Sequence, residues 1–228
     1  MSIEKKYSDL VKKLSNPNTG EMPDSSFKAI KDICKIVNPN SILEIGFNRG
    51  SSALMWLLNS KAHVTSIDIR TEQDLEKSLD VLKSNFKDRF NYYEKDAYKE
   101  LPFESDWVGK FDLIFIDCWH VPLGYELDTK TAMFFGSPYI AYDDYLTHSE
   151  SNFIRNFVEK NPNLKEIKTY SGGFGQSLVQ NVNYLQTRND DILLDNIKNM
   201  LKENEENLKT LESRFNYASK INWPNYHN

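Results

Sequence analysis

The chain has few cysteines, no long apolar segment and no block of basic residues. Its 2 cysteines, Cys34 and Cys118, follow no metal-binding spacing, so neither a disulfide framework nor a cysteine-rich zinc site is expected. No apolar stretch approaches the ~20 residues that span a bilayer. The opening segment MSIEKKYSDLVKKL lacks the apolar run of a signal peptide. We therefore expect a cytoplasmic protein with no membrane partner.

The charge balance argues against a nucleic acid as the partner. The chain carries 28 Lys and Arg against 33 Asp and Glu, a net charge of −5, and its basic residues form no cluster. Binding to a polyanion depends on clustered positive charge. The 39% of hydrophobic residues is instead typical of a packed globular domain, and 228 residues suit one domain with an appendage.

Short apolar segments alternate with amphipathic segments, which predicts an α/β fold. Strands are expected at residues 41–46, 63–68, 90–97, 111–117 and 138–144, with helices between them. This alternation predicts a doubly wound, Rossmann-like, mostly parallel sheet covered on both faces. Two more strands around the turn SGGFG, within residues 164–182, predict an antiparallel hairpin at the sheet edge. The expected sheet has seven strands.

A heptad pattern follows the predicted sheet. The seam consists of Leu194, Ile197, Leu201, Asn204, Leu208, Leu211 and Phe215. The pattern is compatible with a long helix that packs on its own domain and with a coiled coil that makes a homo-oligomer. The predicted organisation is a helical cap over 1–38, a ligand-binding domain over 39–185 and the heptad helix over 190–220.

The first predicted strand runs into LEIGFNRGSS, with Glu44 near its end and Gly46 and Gly50 in the turn. Glycines there allow close approach of a ligand, and ligands bind outside the carboxyl ends of parallel strands. A nicotinamide-binding turn would read G-x-G-x-x-G, but Asn48 stands at the second glycine position. The pattern present, E-x-G-x-x-x-G, resembles motif I of class I S-adenosylmethionine (SAM)-dependent methyltransferases.

The resemblance extends to the next two strands. Asp68 ends the second strand, where that family places an acid on the ribose hydroxyls, and Asp96 follows the third, where it contacts the adenine. Taken alone, an acid after a strand is usually a solvated loop residue or a helix cap. The resemblance implies SAM as the cofactor. The implied binding residues are Glu44, Gly46, Phe47, Asn48, Gly50, Ser51, Ser52, Asp68, Ile69, Asp96, Ala97 and Asp117.

Acids also follow the fourth and fifth strands. Asp117 ends the fourth strand, and Asp143 and Asp144 end the fifth, which should be its neighbour. Clustered carboxylates repel one another unless a cation lies between them, and oxygen ligands suit a hard divalent ion such as Mg²⁺, with Ca²⁺ and Mn²⁺ as alternatives. We therefore predict a metal site of Asp117, Asp143 and Asp144. Asp117 and His120 are the predicted catalytic residues, with His120 as the base that takes the proton of the acceptor hydroxyl.

The stretches FDLIFIDCWH, GYELD and GSPYIAYDD resemble metal-dependent small-molecule O-methyltransferases, above all the macrolide-sugar and cephalosporin-pathway types. Those families show Asp-x-x-His after strand four and an acidic pair after strand five. The resemblance covers about residues 20–182 and implies methylation of a hydroxyl on a small molecule or sugar. Cys118 and Trp119 depart from the family pattern.

The residues leave alternatives open. The acids could serve a metal-free methyltransferase by binding an amine or water. The chain could also be a non-catalytic SAM-binding protein that assembles through its heptad helix. His148 is a second candidate for the base, although a surface histidine in a loop explains it as well.

Overall fold

The described residues form the seven-stranded sheet expected from the sequence. The structure, a computed structural model, describes residues 2–14, 24–69, 75–118, 121–146, 149–173, 175–206 and 208–209. The strands are β1 (Ser41–Ile45), β2 (His63–Asp68), β3 (Phe90–Glu94), β4 (Leu113–Ile116), β5 (Tyr139–Tyr142), β6 (Leu164–Tyr170) and β7 (Gln176–Asn181). Their lateral order is β3-β2-β1-β4-β5-β7-β6. The first five run parallel, and β7 lies antiparallel between β5 and β6. The predicted doubly wound sheet with an antiparallel edge hairpin is confirmed.

Helices flank this sheet. They are α1 (Ile3–Val11), α2 (Asp24–Val37), α3 (Ser51–Asn59), α4 (Leu75–Phe86), α5 (Pro122–Phe134), α6 (Ser149–Lys160), α7 (Tyr184–Thr187) and α8 (Asp191–Glu203). Between β3 and β4, where the sequence predicts a loop, the chain forms two short 3₁₀ turns at Leu101–Phe103 and Ser105–Trp107. Within the described ranges, no helix has the length and apolar character needed to cross a membrane.

Alternating side chains of the strands build one apolar layer on each face. Ile42 of β1 belongs to the layer formed with α1, α2, α3 and α4, whereas its neighbour Leu43 belongs to the layer formed with α5, α6 and α8. In the first layer Trp56 is fully buried, and its ring centroid lies 5.3 Å from that of Phe115. Because both faces are covered, β4 is buried at every position, which explains its unbroken apolar sequence LIFI.

Helix α8 packs on the sheet domain through the heptad seam. Ile197 is fully buried, and Leu194, Leu201 and Leu208 pack against the same apolar layer as α5. Asn204, the polar position of the seam, is the C-cap residue that follows α8. Leu211 and Phe215 lie outside the described residues. These contacts are made within one chain, and the homo-oligomer stays a prediction.

Candidate cofactor and acceptor site

The turn between β1 and α3 has the backbone shape for which its glycines are suited. Gly46 has φ +97°, and a Cβ at this position would overlap the backbone carbonyl of Asp117. Gly50, directly before α3, has φ +78° and Asn48 has φ +47°. The ends of β1 and β4 therefore touch at Gly46 and Asp117, at the edge of the sheet where ligands bind in this class of fold.

Asp68, at the end of β2, holds this turn in place. Its Oδ2 accepts hydrogen bonds from the backbone N–H groups of Phe47 (2.9 Å) and Asn48 (2.8 Å). The N–H of Gly46 donates to the carbonyl of Ile67 at 3.0 Å. The sequence predicts Asp68 as a ribose ligand, and the structure adds a structural role that sequence reasoning missed. Each carboxylate oxygen can accept more than one hydrogen bond, so both roles are compatible.

Glu44 lies fully buried beneath the turn. Its Oε2 accepts a hydrogen bond from the hydroxyl of Ser66 at 2.5 Å. Burial raises the pKa of Glu44 to about 7, because a buried carboxyl disfavours its charged form, and the hydroxyls of Ser52 and Ser66 oppose this shift. Glu44 is therefore a carboxyl whose charge changes near neutral pH.

Three buried polar atoms around the turn have no hydrogen-bond partner among the residues that the structure describes. They are Oε1 of Glu44, Nε of Arg49 and Oγ of Ser51. Buried polar atoms are normally satisfied, so three of them at one turn indicate a polar ligand. The amino-acid and ribose groups of SAM carry both donors and acceptors. The residues present therefore fit this cofactor.

The other predicted residues of this turn contribute in different ways. The ring of Phe47 is buried, 5.1 Å from the ring of Tyr92. Its backbone N–H donates to Asp68 and its carbonyl accepts from the N–H of Gly50 at 2.8 Å, so this residue shapes the turn. Ser52 is buried in the first turn of α3. Ala97 is buried after β3, and Ile69 is half-buried after β2.

Asp96 caps the turn that follows β3. Its Oδ1 accepts from the backbone N–H groups of Tyr98 (2.8 Å) and Lys99 (3.1 Å). Its own N–H donates to Oε2 of Glu100 at 2.7 Å. The structure thus assigns this acid a capping role. The adenine contact that the resemblance implies stays a prediction.

The acids predicted as metal ligands follow neighbouring strands. Ile116 at the end of β4 pairs with Tyr142 at the end of β5, and the N–H of Asp143 donates to the carbonyl of Ile116 at 3.0 Å. Burial is the main cause that raises the pKa of Asp117 well above its ordinary value. Four neighbouring acids raise it further, in this order: Asp143, Asp144, Glu44 and Asp68. The edge of the sheet therefore concentrates negative charge that attracts a proton or a cation.

The donor chemistry of this cluster fits a hard divalent cation, because carboxylate oxygens are its preferred ligands. Over the described ranges, however, no group of three or more His, Cys, Asp or Glu side chains is arranged to hold a metal ion. His120, the predicted base, and His148, the alternative, both lie outside the described residues, as does Trp119. The three-carboxylate metal site therefore stays a prediction.

Sequence reasoning missed a buried acid–phenol pair near Cys118, the residue after Asp117. Asp128 of α5 accepts a hydrogen bond from the hydroxyl of Tyr98 at 3.4 Å, and burial raises the pKa of Asp128 to about 8. The Tyr98 hydroxyl also lies 4.0 Å from Sγ of Cys118. From the same helix, the Tyr125 hydroxyl lies 3.5 Å from the carbonyl oxygen of Asp143. The spacing of Tyr125 and Asp128 on one helix face was the available signal.

A family model described as a methyltransferase domain matches residues 43–141, which run from β1 to β5 and include the Gly46 turn. No curated protein matches the chain in sequence.

Solved structures share the fold. The chain is similar to the methyltransferase PaMTH1 of Podospora anserina bound to S-adenosylhomocysteine (SAH), with a TM-score of 0.60 and 18% identity over 78% of this chain and 86% of that one. The SAM-bound O-methyltransferase TomG of Streptomyces achromogenes, involved in tomaymycin synthesis, has a TM-score of 0.60 and 15% identity over 79% and 89%. The SAH-bound O-methyltransferase of Bacillus cereus has a TM-score of 0.58 and 16% identity over 79% and 91%. The chain thus has the Rossmann-like fold of these methyltransferases.

Proposed function

We propose that the protein transfers a methyl group from SAM to a hydroxyl oxygen of a small molecule or sugar. The turn at Gly46 is the observation that carries this proposal. Its backbone meets Asp117 so closely that no side chain fits, and three buried polar atoms around it have no partner among the described residues. This turn lies within the matched methyltransferase domain.

In this proposal the chain chiefly positions two molecules. Glu44, Arg49 and Ser51 bind polar groups of the cofactor, while Asp68 fixes the turn and accepts from the ribose. Methyl transfer is an in-line displacement at a carbon atom, so holding the acceptor oxygen in line lowers the barrier most. The acceptor hydroxyl must also lose its proton, and the sequence supports His120 as the base.

We extend the proposal to a divalent metal ion, with Mg²⁺ favoured by the oxygen donors. Asp117, Asp143 and Asp144 would hold it through their carboxylates. When bound, such an ion would lower the pKa of the acceptor hydroxyl. The raised pKa of Asp117 supports the extension, because it reflects repulsion among these acids in addition to burial. The competing candidate is a metal-free enzyme whose acids bind an amine-bearing acceptor. It is favoured by the finding that, among the described residues, no three His, Cys, Asp or Glu side chains are arranged to hold a metal ion.

Titration calorimetry with SAH tests the proposal without knowledge of the acceptor. We expect saturable binding to the full chain, and no binding at millimolar SAH would refute the proposal. Gly46→Ala should abolish binding, because the new Cβ meets a backbone carbonyl. Gly109→Ala is the matched control, since Gly109 has a similar φ of +70° but its Cβ would meet only the side chain of Arg188.

Metal dependence requires a turnover assay. SAH release from SAM is measured with a panel of phenols, catechols and monosaccharides, with EDTA and after Mg²⁺ is restored. We expect EDTA to stop turnover and Mg²⁺ to restore it. Turnover unchanged by EDTA would refute the metal site and leave the methyltransferase proposal standing.

A further inference from the structure

We infer that Gln176 belongs to the acceptor site, where its amide nitrogen orients Asp143 and its amide oxygen accepts a hydrogen bond from the methyl acceptor. The inference rests on the proposed function. Gln176 is the first residue of β7, and the pairing of Ser177 with Tyr142 places it beside the end of β5. In the sequence it directly follows the turn SGGFG, at the start of the second predicted strand of the hairpin.

The contact with Asp143 fixes the orientation of the glutamine. Nε2 of Gln176 donates to Oδ1 of Asp143 at 2.8 Å. In this contact the NH₂ branch of the amide faces Asp143, and the carbonyl oxygen Oε1 lies on the other branch of the planar amide. Strand β7 thereby restrains Asp143, one of the two acids that follow β5.

The amide oxygen indicates a ligand. Gln176 is 1% exposed, and its Oε1 has no hydrogen-bond partner in the part of the chain that the structure describes. Because this oxygen is shielded, bulk water does not compensate it. A buried acceptor without a donor is destabilising, whereas an apolar side chain of similar size would avoid the penalty. Packing alone therefore does not explain a glutamine here, but a bound molecule that brings a hydroxyl or N–H group does.

The surroundings place this oxygen at the acceptor side of the site. The carbonyl of Gly175 accepts from the N–H of Tyr145 at 3.0 Å, which ties the loop after β5 to the start of β7. From α5, the Tyr125 hydroxyl lies 3.5 Å from the carbonyl of Asp143. Asp143 is thus held by groups from two elements, and a molecule that reaches its carboxylate comes close to the Gln176 amide as well.

Gln176→Leu tests the inference, because it removes both amide atoms at nearly constant volume. Gln180→Leu is the matched control on the same strand. Gln180 pairs with Tyr139, the first residue of β5, so it lies at the end of the strands away from the site. With the panel compound that is methylated fastest, we expect Gln176→Leu to raise the acceptor KM about tenfold. The Kd for SAH should stay within about twofold, since the inferred contact is to the acceptor. Tm should stay within about 4 °C, because the lost bond to Asp143 and the removed Oε1 act in opposite directions.

The outcomes separate the inference from the function on which it rests. An equal acceptor KM for Gln176→Leu and Gln180→Leu would overturn the inference and leave the methyltransferase in place. A joint loss of SAH binding and Tm in Gln176→Leu would show a structural role and overturn it too. Failure of the wild-type protein to bind SAH would instead refute the proposed function. A crystal structure with SAH decides independently of turnover: we expect an ordered water or bound molecule donating to Oε1, and a donor from the protein itself would overturn the inference.

Discussion

Replacing Glu44 by Gln should stabilise the protein at neutral pH and weaken its binding of SAM. Glu44 has no exposed surface, and burial raises its pKa from 4.5 to about 7. Glutamine has nearly the same shape, can still accept from the Ser66 hydroxyl and cannot ionise. The substitution therefore removes the unfavourable buried charge and leaves the packing in place.

The pH dependence follows from the two pKa values. Below pH 4.5 the Glu44 carboxyl keeps its proton in both the folded and the unfolded chain, so it has no effect on stability. Between 4.5 and about 7 the unfolded chain has lost this proton while the folded chain retains it, so the free energy of unfolding falls as the pH rises. Each pKa unit corresponds to about 1.4 kcal/mol. The Glu44 carboxyl therefore lowers the free energy of unfolding by about 1 kcal/mol at pH 5 and by about 3 kcal/mol at pH 8.

Urea unfolding of the wild-type protein and the Glu44→Gln variant at pH 5, 6, 7 and 8 measures this difference. We expect the difference in free energy of unfolding between the variant and the wild-type protein to grow by about 2 kcal/mol from pH 5 to pH 8. The slope of the free energy of unfolding against urea concentration should be unchanged. Buried acids that Glu44 does not influence titrate alike in both proteins and cancel in the comparison. The pKa of Asp117 should fall in the variant, because one of the acids that raise it is removed. Glu76→Gln, on the exposed side of α4, is the matched control. A stability difference that does not change with pH would refute the reasoning, and SAH binding equal to wild type would remove Glu44 from the cofactor site.

Three further substitutions test the remaining roles. Asp68→Ala removes the acceptor of two backbone N–H groups in the Gly46 turn, so SAH affinity in calorimetry should fall about 100-fold; a change below about threefold would contradict that role. Asp96→Ala removes a cap and should lower the free energy of unfolding by about 1 kcal/mol; an additional loss of SAH affinity would support the adenine contact, and unchanged stability would speak against the cap. Asp128→Asn removes a carboxyl whose pKa burial raises to about 8. In the wild-type protein this group lowers the free energy of unfolding as the pH rises from 3.8 towards 8. In urea unfolding, the stability of Asp128→Asn relative to wild type should therefore increase by about 2 kcal/mol or more between pH 5 and pH 8. A stability difference that does not change with pH would contradict the burial of Asp128.

The sequence by itself determined the sheet and the place of its ligand edge. Apolar runs of strand length between amphipathic segments are local patterns, and a parallel sheet follows from them because its strands must be covered on both faces. The glycines of the first turn and the acids Asp68, Asp96 and Asp117 were identifiable because strand ends in such a sheet meet at one edge. The heptad pattern did not decide between a helix that packs on its own domain and a coiled coil, because an apolar seam does not specify which surface it contacts.

Only the tertiary structure decided what these side chains contact. Asp68 supports the Gly46 turn and Asp96 caps its own loop, and neither contact can be read from an acid at the end of a strand. Gln176 meets Asp143 across 33 positions of sequence because β7 enters the sheet antiparallel, between β5 and β6. Hydrogen bonds between distant segments depend on strand order and register, and those are set by the packing of the whole sheet rather than by any local pattern of residues.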